Sequence, residues 1–112
     1  MSLDIWLSIS VDAGGKEPTI ITLFDANITH NLVPMWVKTG VYDALYNSAD
    51  KQASEILEVL KLGYADMKAR PEEYSKLNAS NGWGKYEEAL PWLKEFLDAC
   101  EKYPRSVIGL WK

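Results

Sequence analysis

Two short polar segments of the sequence hold the side chains best suited to bind a ligand. In the first segment, residues 25–31, five of the seven side chains can form hydrogen bonds: Asp25, Asn27, Thr29, His30 and Asn31. Asparagine is both a donor and an acceptor, and histidine changes its role with its protonation state. The segment lies at the carboxyl end of a predicted strand, and its side chains predict a site for a polar ligand at that end. In the structural alternative, Asn and Asp cap a turn and His30 ties the loop to the body of the protein.

The second segment, residues 81–88, places Trp83 between Gly82 and Gly84 just before a predicted helix. The glycines allow the backbone to approach a ligand closely, and the N–H groups at the start of the helix could meet an anion. In the structural alternative, Trp83 fills the core while the glycines turn the chain into the helix. Two glycines at this spacing, with no preceding strand, do not form a dinucleotide fingerprint. The candidate binding residues here are Asn81, Trp83 and Tyr86.

Aromatic residues are unusually frequent, with five Trp and six Tyr in 112 residues. Such side chains fill cores, but they also dominate binding hot spots and line ligand pockets. Trp36 and Tyr42 follow the first polar segment closely, so they are candidates to line a groove near His30. Core packing is the alternative, because each aromatic side chain buries a large area.

The sequence offers little support for catalysis. It contains no nucleophile elbow, no phosphate-binding loop and no metal motif, and a single histidine lacks the ligand set of a stable zinc site. We therefore predict no catalytic residue, no metal and no cofactor. The remaining enzymatic alternative is acid–base chemistry by His30 with Asp25 or Glu87.

Charge and composition narrow the choice of partners. The formal net charge is -4, which disfavours direct binding of nucleic acid and suits a basic protein partner. The same charge permits a second alternative, an acidic inhibitor that mimics nucleic acid. No apolar run is long enough to span a membrane, and the first residues lack the features of a signal peptide. The single cysteine, Cys100, cannot form an internal disulfide, and its half-apolar helical setting predicts a buried thiol. A free thiol is typical of a reducing compartment, so we expect a cytoplasmic protein.

The elements that must position these residues follow from hydrophobic periodicity. Residues 4–11 alternate with period two and residues 19–25 are rich in β-branched side chains, which predicts a β-hairpin. Apolar residues at helical spacing predict a helix over 49–69, capped by Ser48, and another over 85–102, in which Pro91 predicts a kink or a late start near 87–90. Shorter elements are predicted as helical turns over 34–38, 41–46 and 72–77 and as a strand over 106–111.

These elements predict one α+β domain over residues 1–112. Its expected architecture is a two-layer sandwich, in which an antiparallel β-hairpin and a C-terminal strand pack against three to four helices. The length suits a single hydrophobic core.

The segments Asn27-Ile28-Thr29-His30-Asn31-Leu32-x-x-Met35 and Asn81-Gly82-Trp83-Gly84-x-Tyr86-Glu87 resemble motifs of a family of small uncharacterised proteins of bacteria, phages and prophages. The similarity runs from the second strand to the helix ending near Cys100. No activity is settled for this family, so the resemblance implies an accessory role in a phage or mobile element and transfers no catalytic residue. The family's helix usually lacks a proline at the position of Pro91.

Taken together, these features predict a non-catalytic binding protein that engages a host protein or a small polar ligand. The prediction requires the loop at His30 and the loop at Trp83 to meet in space. The alternatives are a small enzyme, an acidic mimic of nucleic acid and a structural accessory subunit.

Overall fold

The computed structural model describes residues 2–112 and contains a three-stranded antiparallel sheet with helices on one side. The strands are β1 (Ser2–Val11), β2 (Thr19–Thr29) and β3 (Val107–Trp111), in the order β2-β1-β3. The helices are α1 (Val33–Thr39), α2 (Tyr42–Tyr46), α3 (Ala53–Ala69), α4 (Pro71–Ser75) and α5 (Tyr86–Lys102), and a 3-10 turn (His30–Leu32) joins β2 to α1. The predicted α+β class is confirmed. The described residues form five helices, one more than the upper end of the prediction.

One face of the sheet, the inner face, forms half of the hydrophobic core. Leu3, Ile5 and Leu7 alternate along β1 and are fully buried, because period two directs all three toward the helices. The long helices α3 and α5 pack against each other and supply Leu60, Leu93 and Phe96 among others. Burial of each large apolar side chain contributes about 1.5–3 kcal/mol, so this layer contact is the main stabilising feature of the fold.

The second strand is longer than its β-branched run predicted. It continues to Thr29 rather than ending at Asp25, because β1 already begins at Ser2 and pairs with it there. Ile28 is buried beside Leu3, and this contact holds the end of the strand in the sheet. Asn27 and Thr29 are therefore strand residues rather than loop residues.

Helix α3 begins at Ala53, so the predicted start at residue 49 with Ser48 as its cap is wrong. The Ser48 hydroxyl instead donates to the Ala44 carbonyl at 2.6 Å and closes the end of α2. Residues 50 and 51 hydrogen-bond to β3: the Asp50 N–H donates to the Ile108 carbonyl at 2.8 Å, and the Lys51 carbonyl accepts from the Ile108 N–H at 2.8 Å. This segment, a turn followed by the isolated bridge of Gln52 with Val107, covers the edge of β3 that faces away from β1, and the helix begins after it.

Helix α5 begins at Tyr86 and runs past Pro91 to Lys102, so of the two predicted effects of Pro91, a kink or a late start, the late start is wrong. Proline cannot donate to the carbonyl of Glu87, one turn earlier. That turn is exposed, so water can satisfy the carbonyl and the helix tolerates the loss. The helix places Trp92 and Phe96 under the sheet.

The β1–β2 hairpin extends beyond the rest of the protein. Only Asp4–Ser8 of β1 pair with β3, so the rest of the hairpin lies outside the three-stranded part of the sheet. The register of β1 with β2 shifts between Leu7 and Ser8. The described part of the chain accordingly measures 53 × 27 × 19 Å. No helix within residues 2–112 is long and apolar enough to cross a membrane.

Candidate functional site

The two polar segments meet at one end of the sheet. The Asn31 side-chain amide donates to the Trp83 carbonyl at 2.9 Å. At Gly84, an added Cβ would lie only 2.9 Å from the Cβ of Asn31, so the backbones pass in close contact. The predicted convergence of the two loops is confirmed.

Side chains within the second loop explain its shape. Asn81 accepts the Trp83 N–H at 3.0 Å, and Asn78 accepts the Tyr86 N–H at 2.8 Å where α5 begins. Gly82 and Gly84 have positive φ angles of 80° and 107°, which favour glycine. This tight turn projects Trp83 outward with 72% of its surface exposed, so the alternative in which Trp83 fills the core is wrong.

A surface groove of about 350 Å³ lies beside Trp83 and is lined by Ser2, Asn27, Thr29, Asn31 and Trp83. We call it the loop groove. The Asn27 amide donates to the Ser2 hydroxyl at 2.9 Å and to the Asp4 carboxylate at 2.7 Å, which fixes its orientation. The side-chain oxygens of Asn27 and Asn31 have no hydrogen-bond partner within residues 2–112. The loop groove therefore offers hydrogen-bond acceptors to a ligand.

The loop groove opens onto the second face of the sheet, the outer face. Around the two grooves, the strand register places these residues on the outer face: Ser2, Asp4, Trp6 and Ser8 of β1, Asp25, Asn27 and Thr29 of β2, and Val107, Gly109 and Trp111 of β3. A second groove of about 440 Å³ crosses it and is lined by Asp4, Ile5, Trp6, Asp25, Ala26, Asn27 and Trp111. We call it the acidic tryptophan groove, and it shares Asn27 with the loop groove.

Gly109 determines how Trp6 lies on the outer face. The two residues are opposite each other in the sheet, and an added Cβ at Gly109 would fall 2.2 Å from the indole nitrogen of Trp6. The indole ring therefore lies across β3 in the space that a side chain would otherwise occupy. Trp111, two residues further along β3, stands 72% exposed beside Asp4.

Neither carboxylate of the acidic tryptophan groove forms an ion pair with another residue of the described range 2–112. The four ion pairs found within residues 2–112 all involve other acidic residues: Asp66, Glu73, Asp98 and Glu101. Lys112 is adjacent to Trp111, but its ammonium group donates to the Asn47 side chain at 3.2 Å. Asp4 and Asp25 therefore give the groove a negative charge that no ion pair within residues 2–112 balances.

Three of the predicted site residues, His30, Trp36 and Tyr42, line neither groove and pack against other side chains instead. His30 Nδ1 lies 2.8 Å from the Tyr46 hydroxyl, and Tyr46 stacks on Tyr42 with ring centroids 4.7 Å apart. Burial raises the pKa of Tyr46 to about 12, so the phenol keeps its proton. Trp36 is fully buried. The described contacts pair His30 with Tyr46 rather than with Asp25 or Glu87, and the histidine ties its turn to α2.

Tyr86 also has a structural contact. Its hydroxyl donates to the Met67 carbonyl of α3 at 2.7 Å, and burial raises the pKa of this phenol. The bond anchors the second loop to the helical layer. Of the ten predicted site residues, six remain together on the surface near the two grooves: Asp25, Asn27, Thr29, Asn31, Asn81 and Trp83.

The helical layer carries its own polar cluster, which is already paired. Hydrogen bonds from Arg70 and Tyr74 hold the pKa of Asp66 below its usual range. Burial raises the pKa of the Tyr74 phenol to about 12, with a further contribution from its hydrogen bond to Asp66.

The described residues offer neither a reactive thiol nor a metal site. Burial raises the pKa of the Cys100 thiol to about 12, so the thiol is a poor nucleophile at neutral pH. Within residues 2–112, no three His, Cys, Asp or Glu side chains cluster as metal ligands.

Fold and site define a small α+β protein with an open, aromatic face on its sheet. The chain matches no protein-family model, no curated protein and no solved structure.

Sequence reasoning missed Asp4, Trp6 and Trp111 as members of the site. For Asp4 and Trp6, the sequence signal was the period-two pattern of the first strand, which places both side chains on the side away from the core. What the pattern could not supply was the register of β3, which places Trp111 beside Asp4.

Proposed function

We propose that the protein is a non-catalytic binding protein whose partner docks on the outer face of the sheet. The observation that carries the proposal is the location of its tryptophans. Three of the five lie on or beside this face, and two of them, Trp83 and Trp111, are each 72% exposed. Exposed tryptophans among polar groups are typical of binding hot spots, whereas a solvated sheet face normally carries polar side chains.

The shape of the face favours a protein over a small molecule. The two grooves lie side by side, share Asn27 and together extend from Trp83 to Trp111. A small-molecule site usually encloses most of its ligand in one concave pocket, whereas a protein interface spreads over a broad surface with a few aromatic anchors. We therefore place a host protein ahead of a small polar ligand as the partner.

Two of the alternative functions, the small enzyme and the mimic of nucleic acid, gain no support from the described residues. The enzymatic alternative needs His30 to pair with Asp25 or Glu87, whereas the contact found within residues 2–112 joins the His30 ring to the Tyr46 hydroxyl. Acidic residues are spread over strands and helices, and four of them are neutralised by ion pairs. A mimic of nucleic acid needs its carboxylates concentrated on one surface.

The biological setting is also a proposal. The resemblance of the two loop segments to bacterial and phage proteins supports an accessory role in a phage or mobile element. The one cysteine, unpaired and buried, supports action in the cytoplasm. In this setting the partner is a host protein.

The test compares capture by the wild type with capture by two double variants. Trp83→Ala with Trp111→Ala removes the exposed anchors of the outer face. Val37→Ala with Leu62→Ala removes apolar side chains of similar exposure, 60% and 65%, from the helical side. Tagged proteins are incubated with bacterial lysate, retained proteins and small molecules are identified by mass spectrometry, and binding is measured by calorimetry with the purified partner.

We expect a protein that binds the wild type and the control variant equally and the tryptophan variant at least about 10-fold more weakly. Equal binding to all three would overturn the assignment of the outer face. Retention of a small molecule alone, through the same tryptophans, would overturn the choice of a protein partner.

A further inference from the structure

We propose that the acidic tryptophan groove binds an arginine side chain of a basic partner protein. This inference rests on the proposed function, because it names the chemistry of the partner that docks on the outer face. It is carried by the acceptors, the charge and the aromatic surfaces of the groove.

The groove presents hydrogen-bond acceptors. Within residues 2–112, the Asp25 carboxylate makes no hydrogen bond, and the Asp4 carboxylate accepts one, from Asn27 at 2.7 Å. The Asn27 side-chain amide donates to Ser2 and to Asp4, and its oxygen is left to accept a hydrogen bond from a ligand. A ligand that matches this surface must be rich in donors, and the guanidinium group has five N–H donors and no acceptor.

The charge of the groove selects a cation. Asp4 and Asp25 form none of the ion pairs found in the described chain, and the protein as a whole carries a net charge of -4. An anion would be repelled by both carboxylates, whereas a cation between them gains attraction from each. The electrostatic complement of the groove is therefore a positively charged side chain.

The arrangement of the strands places both carboxylates near the same indole ring. Asp25 is directly opposite Trp6 in the β1–β2 register, and Asp4 precedes Trp6 by two positions on the same face of β1. Diagonal neighbours across two antiparallel strands are about 7–8 Å apart, a distance that one guanidinium group can bridge through its two ends. A guanidinium placed there lies beside both carboxylates and the aromatic surface.

The tryptophans favour arginine over lysine. Trp6 lies across Gly109, and Trp111 stands exposed next to Asp4, so two indole rings border the same groove. A planar guanidinium stacks on an aromatic ring and still donates in its own plane to carboxylates, whereas an ammonium group is a strongly hydrated point charge. Arginine is also enriched, with tryptophan, among binding hot spots.

The probe is a short capped peptide of Gly and Ser with two arginines. Its binding is followed by the indole N–H resonances of the five tryptophans in ¹⁵N-labelled protein. We expect the indole N–H resonances of Trp6 and Trp111 to shift when the arginine peptide is added, while the resonance of the buried Trp36 stays constant. The same peptide with citrulline keeps the shape and loses the charge, and we expect it to bind at least roughly 5-fold more weakly. We expect the affinity for the corresponding lysine peptide to lie between the affinities for the arginine and citrulline peptides.

The protein variants remove the charge of the groove without removing its shape. Asp4→Asn with Asp25→Asn keeps an acceptor for Asn27, and we expect the dissociation constant of the arginine peptide to rise roughly 5- to 10-fold. Glu58→Gln with Glu95→Gln makes the same change in net charge at exposed helix positions and should leave the dissociation constant unchanged. Added salt should weaken binding to the wild type.

Three results would overturn the inference. They are the absence of any shift of Trp6 and Trp111 at millimolar arginine peptide, equal affinity for arginine and citrulline, and equal effects of the two double variants. If the captured host protein still depends on Trp83 and Trp111 in these cases, the binding function stands and only the arginine assignment fails. If that dependence is also lost, both proposals fail.

Discussion

The two faces of the sheet are built from the same strands and have opposite surroundings. On the inner face, Leu3, Ile5 and Leu7 are fully buried against α3 and α5. On the outer face, their neighbours Asp4 and Trp6 line an open groove. The alternation that stabilises the fold on one side thus presents a charged and aromatic surface on the other.

A second contrast lies between the polar groups that the fold has already paired and those that it leaves open. Asp66 in the helical layer is held by Arg70 and Tyr74, and its charge is used within the protein. Asp25 on the outer face has no such partner in the described chain. Asp25 is exposed, so water solvates its carboxylate and leaving it unpaired costs the fold little, and its charge is open to the proposed partner.

The largest expected effect separates the two faces directly. Leu7→Ala removes a fully buried side chain between β1 and the helices and should lower the free energy of unfolding by about 3 kcal/mol. Its neighbour Ser8 points to the outer face, so Ser8→Ala should change the free energy by less than about 0.5 kcal/mol. Chemical denaturation of both variants measures the difference. Similar losses for the two variants would contradict the assignment of faces.

The second prediction tests the contact between the two loops. Gly84→Ala strains a φ angle of 107° and pushes a Cβ against Asn31, and it should cost about 2 kcal/mol. Gly82→Ala is the matched control, since its φ angle is 80° but no atom lies within 4 Å of the added Cβ. It should cost about 1 kcal/mol, so the difference between the two losses reports the contact. Equal losses would show that the loops do not touch.

Much of the fold could be predicted from the sequence because its signals are local. The alternation of the first strand, the turn at Gly14 and Gly15, and the helical spacing around Leu60 and Leu93 each depend on nearby residues. The predicted boundaries were wrong where distant contacts decide. Ile28 extends β2 by packing beside Leu3, and hydrogen bonds to β3 keep residues 50 and 51 out of a helix.

The candidate site could be predicted only in part, for the same reason. The convergence of Asn31 and Trp83 was expected, since both segments are polar and border the core elements. The interior position of Trp36 and the pairing of His30 with Tyr46 depend on how the helices pack, which residue type does not reveal. Trp111 joined the site only through the register of β3.

The third prediction concerns the position of Trp6 on the outer face. Gly109→Ala places a Cβ where the indole ring lies and should displace the ring toward solvent at a cost of about 1 kcal/mol. The indole N–H resonance of Trp6 should shift strongly, and the affinity for an arginine peptide should fall. Val107→Ala on the same strand and face is the control and should leave this resonance in place. An unchanged Trp6 resonance in Gly109→Ala would contradict the described packing.

The smallest expected effect compares a paired carboxylate with an open one as the pH falls. Hydrogen bonds from Arg70 and Tyr74 hold the pKa of Asp66 below its ordinary value of 3.8. A depressed pKa in the folded state stabilises the protein above pH 3.8, and this contribution disappears as the pH falls through the folded-state pKa. Since the pair is partly exposed, Asp66→Asn should cost only about 0.5 kcal/mol at neutral pH. This difference from the wild type should vanish in acid.

Asp25→Asn is the matched control for this measurement, because its carboxylate forms none of the ion pairs of the described chain. We expect its free energy of unfolding at neutral pH to equal that of the wild type or to exceed it slightly, since the substitution removes a negative charge beside Asp4. Urea denaturation at neutral and acidic pH measures both variants. A loss of stability in Asp25→Asn as large as that in Asp66→Asn would mean that the fold itself uses the outer carboxylate, and the contrast between the paired and the open groups would then fail.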